Sequence, residues 1–80
     1  MKLNTKSLRE LLEVYGLDMD TKRQRIIGTP FYKYCIYTLD GQYVGGYYPT
    51  ASNVIIGDNT CFTLRELVRA CEPYLDYEEV

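Results

Sequence analysis

The chain reads as an α+β fold: an N-terminal helix, an antiparallel sheet of two to four strands built on a hairpin over residues 31–48, and a C-terminal helix. Three observations carry this. Ser7-Leu8-Arg9-Glu10 and Thr63-Leu64-Arg65-Glu66 both have the spacing of a capping box, in which a hydroxyl and a glutamate satisfy the free N–H groups of a helix start. Between them, an aromatic and β-branched run turns on Asp40-Gly41 and returns.

In the first helix Leu8, Leu11, Leu12 and Tyr15 recur at i, i+3, i+4 and i+7, so they share one face. Gly16 ends it and Leu17 can fold back on the last turn, which places the helix at about residues 5 to 15. Asp18 to Arg25 is polar and reads as a connector. Ile26 to Gly28 has the character of a short strand, which Pro30 prevents from continuing as a central one.

A two-residue loop at Asp40-Gly41 sets Tyr37 against Val44, Ile36 against Gly45, Cys35 against Gly46 and Tyr34 against Tyr47. Alternation then gives the hairpin two faces. Phe31, Lys33, Cys35, Tyr37, Leu39, Val44 and Tyr48 fall on one, and Tyr32, Tyr34, Ile36, Thr38, Tyr43 and Tyr47 on the other. The first is richer in aliphatic groups and is expected to pack on the helices, covering Leu8, Leu11, Leu12, Leu64, Leu67 and Val68. Gly45-Gly46 within a strand points to a bulge, a bend or a close approach of another group.

Val54-Ile55-Ile56 has strand character and is closed by Gly57-Asp58-Asn59. The second helix follows, with Leu64, Leu67, Val68 and Cys71 as its apolar stripe, Phe62 placed to staple onto Leu67, and Pro73 marking its end or a kink. Tyr74 to Val80 extends this helix, packs through Leu75, or frays.

Eighty residues suit one small domain over 1–80, whose core is marginal because so short a chain buries only about 60% of its unfolded surface. A net charge of −2 argues against a duplex-DNA binder, although Lys22, Arg23 and Arg25 form a local basic run and the C-terminal end is acidic. Three cysteines without C-x-x-C spacing do not describe a disulfide framework, though a single Cys35–Cys61 bridge is sterically conceivable. With no signal-peptide pattern and no apolar run of membrane-spanning length, a cytoplasmic protein with reduced thiols and no membrane partner is expected.

Catalysis is not expected. The chain has no histidine, its two serines lack an evident base, and its thiols lack an imidazole partner. No metal-ligand spacing and no phosphate-binding glycine loop is present, so no cofactor is expected and the cysteines read as small core residues.

What stands out is tyrosine, nine in the chain and six of them between Tyr32 and Tyr48. Tyrosine is soluble when exposed and adhesive on contact, and protein interfaces are enriched in it. Tyr32, Tyr34, Tyr43 and Tyr47 are therefore the expected partner-binding residues, unless they cover a second small core. The expected function is a protein-binding inhibitor or adaptor that occupies a partner protein. Short chains without catalytic groups are often of that kind, including phage and mobile-element products such as anti-CRISPR proteins. A homodimer through the same face is a further possibility. The competing class is a single-strand nucleic-acid binder, with tyrosines as a stacking platform and Lys22, Arg23, Arg25 and Lys33 lining a groove or meeting an acidic partner.

Overall fold

A computed structural model describes residues 4–75; the expected behaviour of the tail beyond Leu75 lies outside them. The architecture is α+β. Helix α1 (Thr5–Val14) leads into strands β1 (Leu17–Met19), β2 (Gln24–Arg25), β3 (Tyr32–Thr38), β4 (Tyr43–Tyr48), β5 (Asn53–Ile56) and β6 (Asn59–Cys61), and helix α2 (Leu64–Cys71) closes the chain with a 3-10 turn over Glu72–Tyr74. Every strand pairing is antiparallel, and the order across the sheet is β1-β3-β4-β5-β6, with β2 on β3 as well. The sheet thus holds six strands rather than two to four, because short pieces inside expected connectors and turns also pair.

The cap of α1 differs from the expected one. Asn4 is the N-cap and accepts from the Ser7 N–H at 2.7 Å, so Ser7 lies inside the first turn. Asparagine is as good a cap as serine, and capping at Asn4 starts the helix at Thr5, within the expected bounds. Gly16, at φ +75°, ends it, and Leu17 beyond is fully buried in β1. In α2 the capping box forms as read: the Thr63 hydroxyl accepts from Glu66 N–H while the Glu66 carboxylate accepts from the N–H groups of Thr63 and Phe62.

The connector from Asp18 to Arg25 is two strands on the same side of β3. Leu17 pairs with Thr38 and Met19 with Ile36; further along, Gln24 pairs with Lys33 and Arg25 with Tyr32. Arg9 holds the break between them by donating to the carbonyls of Met19 and Asp20. Ile26 to Gly28 is not a strand but part of the turn between β2 and β3, closed by Ile26 N–H to Phe31 O at 2.9 Å.

The central register is the expected one, with Tyr34 on Tyr47, Cys35 on Gly46 and Ile36 on Gly45. It then slips, and Tyr37 pairs with Tyr43. The turn is three residues long, Thr38 N–H donating to Gln42 O, with Gly41 at φ +94°. The Thr38 hydroxyl sustains this wider loop by donating to the Asp40 carboxylate and accepting from Gln42 N–H. Val44 is the extra residue of a β-bulge. Beside it Gly45 is obligatory, since a Cβ there would stand 1.7 Å from the Ile55 carbonyl oxygen.

The helices cover the face opposite to the one expected. Ile36 lies on the covered side, together with Leu17 and Met19 of β1, Val54 and Ile56 of β5 and Cys61 of β6; Leu8, Leu12, Leu67, Ala70 and Cys71 close over them. The physical reason is that the expected face was not what it seemed. Phe31 precedes the strand, Leu39 sits in the turn at 77% exposure, and the bulge turns Val44 toward the core. Flanking strands then supply the aliphatic groups to the Ile36 side. Leu64, also expected in the core, is half exposed on the outside of α2, and Val68 is half-buried.

Candidate functional site

Strand alternation and the observed register divide the expected tyrosine patch. Tyr34 and Tyr47 pack against the core, their rings stacked at 6.0 Å between centroids and 24° between planes. Tyr43 is carried by the bulge to the helix-free face, where it meets Tyr37 edge-on at 5.9 Å and 72°. Tyr32 pairs with Arg25 next to the turn of the β2–β3 arm, with the Arg23 guanidinium 4.3 Å over its ring. The four residues therefore do not form one surface.

The helix-free face instead gathers Lys33, Cys35 and Tyr37 from β3, Tyr43 and Tyr48 from β4 and Ile55 from β5. The Lys33 ammonium sits 5.6 Å over the Tyr43 ring. Partial burial pulls its pKa down, but Tyr43, Tyr48 and Cys35 outweigh that and leave it above the usual 10.5, so Lys33 is a fixed cation at neutral pH. Tyr37 is likewise pushed above the ordinary tyrosine value by Cys35, by desolvation and by Asp20, so it stays a neutral donor. The Cys35 thiol is buried and donates to the Gln24 side chain at 3.1 Å, and the Tyr48 ring approaches Gly46. All three cysteines are free thiols; Cys35 faces away from Cys61, which removes the conceivable bridge. Among the described residues no three histidine, cysteine, aspartate or glutamate side chains converge where they could hold a metal ion, and no helix is long and apolar enough to cross a membrane.

The second feature is the arm itself. It carries Lys22, Arg23 and Arg25, all exposed, and ends in the apolar turn from Ile26 to Phe31. Ile27 is 97% exposed at the tip and Phe31 47%. Where the arm meets the Pro49–Ser52 turn, Ile26, Phe31, Tyr32, Tyr48, Thr50 and Ala51 line a hollow of about 180 Å³. That is below the roughly 300–1,000 Å³ of small-molecule sites, so it suits a single side chain of a macromolecule. Tyr48 belongs both to this hollow and to the helix-free face, which makes the two surfaces continuous.

Sequence reasoning did not single out Ile27, Phe31 or Tyr37 as contact residues. The signal for Ile27 was present: an Ile-Ile pair next to Gly28 and Pro30 cannot be a paired central strand, so its second side chain has no sheet to cover it. Comparison with protein-family models, with curated proteins and with solved structures finds no match to this chain.

Proposed function

We propose that the chain is a small non-enzymatic protein-binding module, an inhibitor or adaptor that acts by occupying a partner protein with the helix-free face of its sheet. The observation that carries this reading is the Tyr37–Tyr43 pair, a rigid aromatic cluster beside the fixed Lys33 cation on a face that neither helix covers. Aromatic rings with few torsions lose little entropy on contact, and a cation held at their edge gives orientation. Tyr34 and Tyr47 support the surface from behind through the core and are not contact residues in this reading.

Affinity capture from cells that encode the chain tests it, with the native chain compared to a Tyr37→Ser/Tyr43→Ser variant. A protein retained by the first and lost by the folded second supports the reading; a variant that retains the same protein removes it.

The single-strand nucleic-acid reading needs Tyr32, Tyr34 and Tyr47 as its stacking platform and Lys22, Arg23, Arg25 and Lys33 as its groove. Of these rings, Tyr34 and Tyr47 are half-buried and packed against the core, which leaves Tyr32 alone away from it. Titration with labelled oligonucleotides at two salt concentrations separates the classes, because phosphate-driven binding falls steeply with salt.

A further inference from the structure

We infer that the β2–β3 arm is an anchoring knob, which seats Ile27 in an apolar socket on the partner protein with carboxylates around its rim. This rests on the protein-binding reading above and specifies the chemistry of the partner.

The tip of the arm is preorganised. The tip is closed by Ile26 N–H to Phe31 O at 2.9 Å and by Thr29 N–H to Ile26 O at 3.1 Å. The Thr29 hydroxyl donates to Ile26 O and accepts from Phe31 N–H, and Arg25 Nε donates to Thr29 O at 2.9 Å. The peptide groups of Ile26, Thr29 and Phe31 are thus bonded within the loop, which fixes the shape of the tip before any contact. A loop already held in one shape loses little further entropy on binding. Ile27 is left outside this network, an aliphatic side chain almost wholly in water at the end of a rigid support.

The arm is also positively charged. Between Asp20 and Asp40 the chain carries Lys22, Arg23, Arg25 and Lys33 and no acid, although its net charge is −2. Arg23 is held over Tyr32 and Arg25 on the Thr29 carbonyl, so both guanidinium groups are fixed beside the tip. A fixed positive collar around an apolar point is complementary to an apolar socket with an acidic rim. Anionic lipid and nucleic acid offer negative charge too. Both would have to approach a chain that is acidic outside this arm, and an aliphatic tip offers no ring for bases to stack on.

The test is in-cell photocrosslinking of the full chain with a benzophenone side chain at position 27, position 43 or position 14, the last on the exposed side of α1. The account expects position 27 to label a protein segment containing aspartate or glutamate, with the yield falling at least tenfold in an Arg23→Glu/Arg25→Glu background. An Ile27→Asp chain, altered at a fully exposed position, is expected to lose capture of the same protein to a similar degree. Labelling of lipid or nucleic acid from position 27 overturns the inference. Labelling of a protein from position 43 but not from 27 overturns the knob while leaving the protein-binding reading intact, and no protein adduct from either position removes both.

Discussion

Tyr37 stands directly across from Tyr43, two residues that a regular two-residue hairpin would have placed on opposite faces of the sheet. The slip that brings them together is a single extra residue, Val44, whose side chain turns to the core while its neighbour turns out. One bulge thus fills the core and sets the Tyr37–Tyr43 pair on the helix-free face at once.

The pairing of β4 with β5 beside the bulge depends on Gly45. A methyl group there would collide with the Ile55 carbonyl oxygen, and the collision is with backbone, so β4 and β5 must separate. Gly45→Ala is expected to destabilise the fold by about 3 kcal/mol. Gly46→Ala, where the nearest backbone atom is 3.3 Å from the added carbon, is expected to cost clearly less. Urea unfolding of the two variants checks the difference.

The two tyrosine pairs are expected to behave oppositely. Tyr34→Ser/Tyr47→Ser removes stacked rings that pack on the core and is expected to lower stability by about 2–4 kcal/mol. Tyr37→Ser/Tyr43→Ser trims the outer face and is expected to change stability by about 1 kcal/mol or less, as for most surface changes. Thermal melts of both double variants decide it.

Burial raises the Cys71 thiol from 9.0 to about 12, with a smaller contribution from Cys61. The sign follows from linkage. Below pH 9 both folded and unfolded chains hold the proton and the group leaves stability unchanged with pH. Between 9 and 12 only the unfolded chain loses it, so stability falls by about 1.4 kcal/mol per pH unit from this group. A pH series of denaturation curves is expected to show a shallower decline in Cys71→Ala than in the native chain. At pH 8 the native Cys71 is expected to resist alkylation until the chain unfolds.

Glu66 runs the other way. Its carboxylate accepts from the N–H groups of Phe62 and Thr63, which holds its pKa below the usual 4.5. The stabilisation is therefore present above that value and is lost as pH falls through the lower folded value. Glu66→Ala is expected to be less stable than the native chain at pH 7, with the gap narrowing on acidification, as read from melts at neutral and acid pH.

The legible parts of the fold were those fixed by local chemistry. Thr63 with Glu66, Gly16 after the first helix and Asp40-Gly41 at the turn each act on residues three or four positions away, and each marks the element it appears to mark. The face of the sheet that meets the helices was not legible, because it is set in part by Leu17 and Met19 on a strand too short to be read as one, and because Gly45-Gly46 signals an irregularity without saying which neighbour the bulge turns inward. Two of the four expected contact tyrosines went to the core for that reason. The arm was hidden differently: Ile26 and Ile27 look like strand residues until Thr29 and Arg25 are seen to close the loop beneath them.

Radical footprinting of the chain, free and bound to its captured partner, reads which side of the sheet the partner covers. Tyr43 and Leu64 are similarly exposed, at 54% and 50%, and lie on opposite sides of the sheet. Binding is expected to protect Tyr43 and to leave Leu64 unchanged. Protection of Leu64 with Tyr43 still fully reactive would contradict it.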